Sequence, residues 1–315
     1  MKIRGQVKNL APSALILIMA IAALIAVPLR TYQHMNIIEA QTGFYAKHDI
    51  SIVMLYALLA VACLLLFIFS FIGGTMPSPD FPEKKNKFIG ISAALFSASL
   101  LFDSIIQIDK VTRIYNEYGT TALKGLAYYI KTGGITAGAQ SFFAILSAVY
   151  FSIFAASYFK GKRFYSTERL MALSPVIWAL CRVVQRFIEP ISFKNVSELL
   201  LQLFMLVFML IFFLSLARIA SKVNFEKSTW VLYASGLTAA LIAMTSAVPS
   251  VILMIIGKSS LLYVQYPVSY CDVFFAIFVV VLLLEIMPSK SEIEQINKQG
   301  IELVEQTQEE NEEVQ

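Results

Sequence analysis

Charge is scarce in this chain. Only 15% of its 315 residues are Asp, Glu, Lys or Arg, where a soluble domain of ordinary composition carries about 25%. A water-facing surface of normal extent cannot be built from so few. Histidine is nearly missing, with two residues, His34 and His48. Only Glu39 stands between them as a further ligand type, and neither spacing matches a helical zinc motif, so no metal site is expected. The three cysteines, Cys63, Cys181 and Cys271, all fall within apolar runs, where a buried thiol behaves as a small hydrophobe, so no disulfide is expected either. The chain lacks a G-x-S-x-G elbow, a phosphate loop, a dinucleotide fingerprint and an H-E-x-x-H pair. Those absences count against an enzyme and give no reason to expect a cofactor.

What the chain has instead is apolar length. Hydrophobic residues make up 58%, with 24 Phe and 14 Tyr, and the mean hydropathy is +0.71. Eight runs, near 12–29, 51–73, 88–107, 140–158, 171–189, 197–219, 229–253 and 269–287, each approach the roughly 20 apolar residues that carry a helix across a bilayer. The sequence therefore predicts an all-α polytopic membrane helix bundle of about eight transmembrane helices with no soluble domain. The polar stretches near 30–50, 108–139 and 289–315 are too short to bury cores of their own. Residues 1–288 form the bundle and 289–315 an acidic tail with eight Glu against two Lys. Ile293, Ile296, Ile301 and Val304 keep roughly helical spacing there, but Gly300 interrupts it, which predicts a fraying helix and then disorder.

Sidedness follows from the basic residues. Alternate connections hold fifteen Lys and Arg on one side and eight on the other. The positive-inside rule then puts both termini in the cytoplasm, as an even number of spans requires. The expected location is a bacterial cytoplasmic membrane, and the basic excess is of the kind such proteins carry, not a nucleic-acid footprint. Lys2, Arg4 and Lys8 ahead of the first run also resemble a signal peptide. The length of that run, and Pro28-Leu29-Arg30, which reads as a helix end more than a cleavage site, favour a retained span.

Two shorter features add detail. In the seventh run Ala239, Ala243 and Ala247 recur every four residues beside Gly236 and Ala240, a stripe that lets helices approach closely and places this span inside the bundle. Pro249 near its end is a site for a kink or a stop. In the 108–139 connection Leu123, Leu126, Ala127 and Ile130 follow helical spacing and predict a short amphipathic helix at the membrane surface.

Ionisable groups at membrane depth cost about 2.5–3.5 kcal/mol each on insertion scales, so they face inward and find partners. The candidates are Asp103 in span three, Arg182 and Arg186 in span five, and Asp272 near the start of span eight, with Glu189 and Glu198 at span ends. At about 1.5 Å of rise per residue, alternation of direction puts Asp103, both arginines and Asp272 in the outer half. Gln202, Thr245, Ser246 and Tyr270 fall at similar depth. Arg182, Gln185, Arg186 and Glu189 share one side of a helix by i, i+3, i+4, i+7 spacing.

This pattern supports two expectations. In the first, the bundle binds or transports a small anionic molecule or a lipid headgroup. Arg182 and Arg186 then offer planar bidentate forks to the anion, Asp103 and Asp272 set their geometry, and Gln185 and Gln202 line the site. In the alternative, the protein is a non-catalytic membrane scaffold or sensor subunit whose charges form an internal ion-pair network that fixes helix register. The lipid bilayer is the surrounding partner in both.

Arg30-Thr31-Tyr32-Gln33 followed by Thr42-Gly43-Phe44-Tyr45, then Trp178 through Arg182, and Phe212-Phe213-Leu214 leading to Ala217-Arg218, together resemble a group of uncharacterised multi-pass proteins from anaerobic Gram-positive bacteria. The resemblance implies the same polytopic architecture and carries no activity. In the first outer connection Thr42-Gly43 reads independently as a turn and Phe44-Tyr45 as an interfacial anchor.

Overall fold

A computed structural model of the protein describes residues 12–39, 43–72, 85–118, 132–161, 170–188, 196–221, 225–262 and 270–285. Eight α-helices hold most of them: α1 (Pro12–Asn36), α2 (Ile50–Ile72), α3 (Lys87–Tyr118), α4 (Gly134–Lys160), α5 (Ser174–Ile188), α6 (Val196–Ala220), α7 (Phe225–Ile255) and α8 (Tyr270–Glu285). A 3-10 turn at Met171–Leu173 leads into α5 and another at Ser259–Leu261 follows α7. Among the described residues the only β feature is a bridge between Ile38 and Tyr45. Seven helical stretches are long and apolar enough to cross a membrane, and the sixteen described residues of α8 are shorter but equally apolar.

Burial shows how such apolar helices are sorted. Leu15, Met19, Ala22 and Ala26 of α1 and Leu55, Leu59, Ala62 and Leu66 of α2 are buried at three- and four-residue spacing, while Leu17, Ile21, Leu24, Val53, Val61 and Leu64 are exposed. Helices that are apolar all round suit lipid on one side and protein on the other. Helix α5 is the exception and is inside-out: Trp178, Arg182 and Gln185 are buried, and Leu180, Val184 and Phe187 face outward. Its polar stripe meets the bundle because the surrounding phase cannot solvate it.

Helix α7 is the hub, packing on α1, α2, α6 and α8. Gly236, Ala239, Ala240, Ala243 and Ala247 are all buried on it, as the small-residue stripe implies. A Cβ at Gly236 would lie 2.8 Å from Cδ2 of Phe212 and 3.2 Å from Cδ1 of Leu283, so neighbouring helices come too close there for any side chain. Helices α3 and α4 form the most extensive pair, and α8 packs on both α3 and α7. By contrast α1 and α6 both lean on α7 without packing closely on each other. Phe96 of α3 centres the core, with Phe151 of α4, Trp178 of α5, Phe213 of α6 and Phe275 and Phe278 of α8 within 4.9–6.3 Å of its ring centroid.

Helix ends are marked by local chemistry. Asn86 caps α3 by accepting the backbone N–H of Phe88 at 2.9 Å, and its side-chain amide donates to Glu285 at the end of α8, at 2.6 Å. Gly161 closes α4 at φ 70°, a left-handed conformation that favours glycine, with its N–H on the carbonyl of Ser157.

Three expectations change. Helix α1 runs through Pro28 to Asn36, so Pro28-Leu29-Arg30 is not its end and His34 lies on the helix, not in a loop. Bonds from Arg30 and Gln33 inside the bundle hold the extra turns. Helix α3 continues past 107 to Tyr118 and α4 starts at Gly134. The apolar run marks where lipid ends, whereas the helix persists through polar residues such as Asp109 and Arg113, which pair at i, i+4. Pro249 neither ends nor interrupts α7. The amphipathic segment around 123–130 and the acidic tail lie outside the described residues.

Candidate functional site

Helix α5 aims its polar stripe at the end of the bundle where α1, α3, α5 and α7 finish, the outer end in the orientation the basic connections favour. Arg182 donates from Nη1 to Asp272 Oδ1 at 2.7 Å and from Nη2 to Oδ2 at 3.2 Å. This is a two-pronged pair joining α5 to α8, with Arg182 10% and Asp272 4% exposed at the side chain. Nη1 also touches Met209 Sδ at 3.8 Å, and the guanidinium lies 5.0 Å from the centre of the Trp178 ring. The arginine thus reaches an anion, a soft sulfur and an aromatic face at once.

Asp103 of α3 is in the same neighbourhood but does not pair with Arg182. Its Oδ2 accepts the indole N–H of Trp178 at 2.9 Å and the amide of Gln140 at 3.0 Å. A tier further out, Gln185 joins three elements. With its amide oxygen towards Lys110 Nζ at 2.6 Å, its nitrogen donates to Thr136 Oγ1 at 2.5 Å and to the carbonyl of Gly133 at 3.3 Å. Gly133 adopts φ 77° immediately below this amide, and a Cβ there would come within 3.1–3.2 Å of both polar atoms of the Gln185 amide. Ser104 and Ser141 close the seam between α3 and α4 at 2.9 Å. Two cations and two carboxylates are therefore spread over α3, α5 and α8.

The candidate residues read from the sequence divide. Arg182, Asp272 and Asp103 come together around Trp178, and Gln185 sits next to them. Arg186 is half-buried near the end of α5 and takes no part in the Arg182–Asp272 pair, and its neighbour Glu189 lies outside the described residues. Gln202 belongs elsewhere, on the face of α6 that carries Glu198.

That face leads to a second polar cluster, which the sequence reading missed. Arg30 is 1% exposed. It donates from Nη1 to Gln33 Oε1 at 3.0 Å and to Tyr45 Oη at 2.9 Å, and from Nη2 to Glu198 Oε2 at 2.5 Å. Gln33 in turn donates to the carbonyl of Ser51 at 2.9 Å, and Tyr45 lies 3.4 Å from the hydroxyl of Tyr56. Tyr45 reaches this site because the chain after α1 doubles back: the N–H of Glu39 bonds to the carbonyl of Phe44 and that of Ala46 to the carbonyl of Ile37, with Gly43 at φ 70°. The turn expected at Thr42-Gly43 is visible at its glycine, with Thr42 outside the described residues. Phe44 is exposed, but Tyr45 is turned inward to the arginine. Four buried polar atoms around these residues, Arg30 Nε, His34 Nε2, Ser51 Oγ and Gln202 Oε1, have no hydrogen-bond partner among the described residues. The available signal was spacing: Arg30, Gln33 and His34 share one helix face, and Glu198 and Gln202 another.

No group of three or more metal-binding side chains occurs among the described residues. Comparison with known protein families, curated proteins and solved structures finds no match for this chain.

Proposed function

We propose that the protein is a non-catalytic multi-pass membrane subunit, a scaffold or sensor, whose Arg182 network is architectural. It sits in a bacterial cytoplasmic membrane with both termini in the cytoplasm. The observation that carries this reading is the pairing itself. Both Nη atoms of Arg182 are engaged by the two oxygens of Asp272, and Asp103 is engaged by Trp178 and Gln140. For Arg182 to hold an external anion, it must first leave Asp272. Breaking a buried pair costs about 3–5 kcal/mol, so an anion would need to recover that much before binding at all. The network instead ties α3, α4, α5 and α8 into fixed register, a task that suits a subunit presenting a rigid surface to partners.

Native mass spectrometry of the gently solubilised protein, beside an Arg182→Leu variant, tests this. The expected result is no anionic adduct that depends on Arg182, together with crosslinks to a partner protein in intact membranes. A discrete anionic adduct, present in the native protein and lost in a variant that remains folded, would overturn the reading and restore Arg182 as a ligand residue.

A further inference from the structure

The Arg30 cluster differs from the Arg182 network in one respect that matters chemically: it is incompletely satisfied. Arg182 engages both oxygens of Asp272 through both of its Nη atoms, whereas Arg30 meets Glu198 through Nη2 alone, across α1 and α6, two helices that both rest on α7 and do not pack closely together. On this bridge or one helical turn from it are a donor, Arg30 Nε–H, an acceptor, Gln202 Oε1 one turn along α6 from Glu198, and the ring nitrogen His34 Nε2 one turn along α1 from Arg30, all buried and without a partner among the described residues. A buried polar atom left unmatched has given up its hydrogen bonds to water without replacement, and with Ser51 Oγ there are four such atoms near one ion pair, a concentration that calls for a guest.

The chemistry of that guest can be read from the host. Arg30 and Glu198 bring one positive and one negative charge, so a guest with net charge would leave a surplus in a poorly solvated place. The unmatched atoms include both a donor and an acceptor, so the guest must carry both kinds of group. We propose that Arg30, His34, Glu198 and Gln202 form a binding site for a small zwitterion, a molecule with an ammonium group and an anionic oxygen a few bonds apart. The anionic end takes the Nε–H of Arg30, and the ammonium end takes Gln202 Oε1 and the Glu198 carboxylate. Tyr45, bonded to Arg30 and adjacent to Tyr56, forms the wall on the side of α2. A free amino acid and a phosphoethanolamine lipid headgroup share this chemistry. Among the described residues, those of this site form no hydrogen bond or ion pair with Arg182 or Asp272, so it stands or falls apart from the architectural reading of that network.

The test is calorimetric titration of the full-length protein in maltoside micelles with two zwitterions, glycine and phosphoethanolamine. Ethanolamine and methyl phosphate serve as probes that carry the two charges separately. The decisive variant is Gln202→Met, which removes the acceptor at nearly constant size. His34→Leu is the second variant, and both are checked for folding by gel filtration and tryptophan emission. The expected result is saturable binding of at least one zwitterion, weakened about tenfold in a folded variant, the scale of one lost hydrogen bond. Ethanolamine and methyl phosphate are expected not to compete. Binding of phosphoethanolamine alone assigns the site to a lipid headgroup, and binding of glycine assigns it to a free solute. Absence of saturable binding by either zwitterion, equal binding by the single-charge probes, or undiminished affinity in both folded variants overturns the proposal and leaves the cluster to buried water.

Discussion

Replacing Asp272 should be far more damaging than replacing Asp272 and Arg182 together. In Asp272→Leu the guanidinium of Arg182 keeps its place, 10% exposed at the side chain, with no carboxylate opposite. The stranded charge costs about 3–5 kcal/mol. In the double variant Arg182→Met with Asp272→Leu neither partner of the pair is left charged, Asp103 keeps its bonds to Trp178 and Gln140, and similar volumes of apolar atoms fill the site, a change that ranges from neutral to stabilising. The remaining loss is the contact of Arg182 with the Trp178 ring, about 1 kcal/mol. Asp272→Leu should therefore be less stable than the double variant by about 2–4 kcal/mol, and Arg182→Met, which strands the carboxylate of Asp272, adds further to the coupling energy of the four-member cycle. A lower figure deserves weight, because single hydrogen bonds between membrane helices couple by only ~0.6 kcal/mol on average, and this pair makes two. Even that floor predicts a coupling above about 1 kcal/mol. Unfolding in mixed micelles titrated with sodium dodecyl sulfate, followed by tryptophan emission, gives all four stabilities. A coupling under about 0.5 kcal/mol would refute the claim that this pair fixes α5 against α8.

Gly236→Ala should destabilise by about 1–3 kcal/mol in the same assay, because the new methyl group meets the Phe212 ring at 2.8 Å; native stability would mean that α6 yields at no cost. Phe96→Ala should cost at least about 2 kcal/mol, mostly from lost dispersion contacts with the five rings around it; a smaller loss would show that the aromatic cluster repacks. Asp49, half-buried ahead of α2, accepts the backbone N–H of Ser51 at 2.8 Å, and this bond holds its carboxyl below the usual range. The folded pKa is depressed, so the cap is present above the ordinary aspartate value and weakens as pH falls through the lowered one. Hydrogen exchange in the first turn of α2 should therefore rise in acid for the native protein and much less for Asp49→Asn; equal behaviour of the two removes the cap from the account. Cysteine introduced at Lys258 should react with an impermeant thiol reagent on intact cells, and cysteine at Lys160 should not; the opposite pattern inverts the topology.

The eight helices were legible because lipid imposes a length requirement that hydropathy records directly, and each observed helix overlaps an expected run. Their ends were not legible to the same degree. Asp109, Lys110 and Arg113 are polar and still helical in α3, so a sequence rule that stops at the first charges stops too early. Arg30 closes the first apolar run in the same way and still lies within α1, so the end of that run conceals the second cluster. Depth could be computed along each run, which is why Arg182, Asp103 and Asp272 were expected together. Rotation about each helix axis could not be computed, and rotation decided that Asp272 faces Arg182, that Asp103 faces Trp178 and Gln140, and that Gln202 faces away from all of them. Small-residue spacing was the exception, since Gly236 and the alanines of α7 fixed which face of that helix its neighbours approach.

The inside-out character of α5 has a consequence for how the chain is made. Arg182 of α5 is paired by a carboxylate 90 residues further along the chain, which at roughly 5–20 residues per second reaches the membrane about 5–18 s later. Throughout that interval α5 is an orphan in the bilayer, holding a charge that its own sequence cannot neutralise. The pairing thus waits for α8, and nascent protein is expected to remain a substrate for quality control until that helix arrives. A chain ending before Tyr270 should be cleared from the membrane quickly, and replacing Arg182 with Met in that truncated chain should prolong its lifetime; equal half-lives in a pulse-chase experiment would show that the charge is not what marks the incomplete protein.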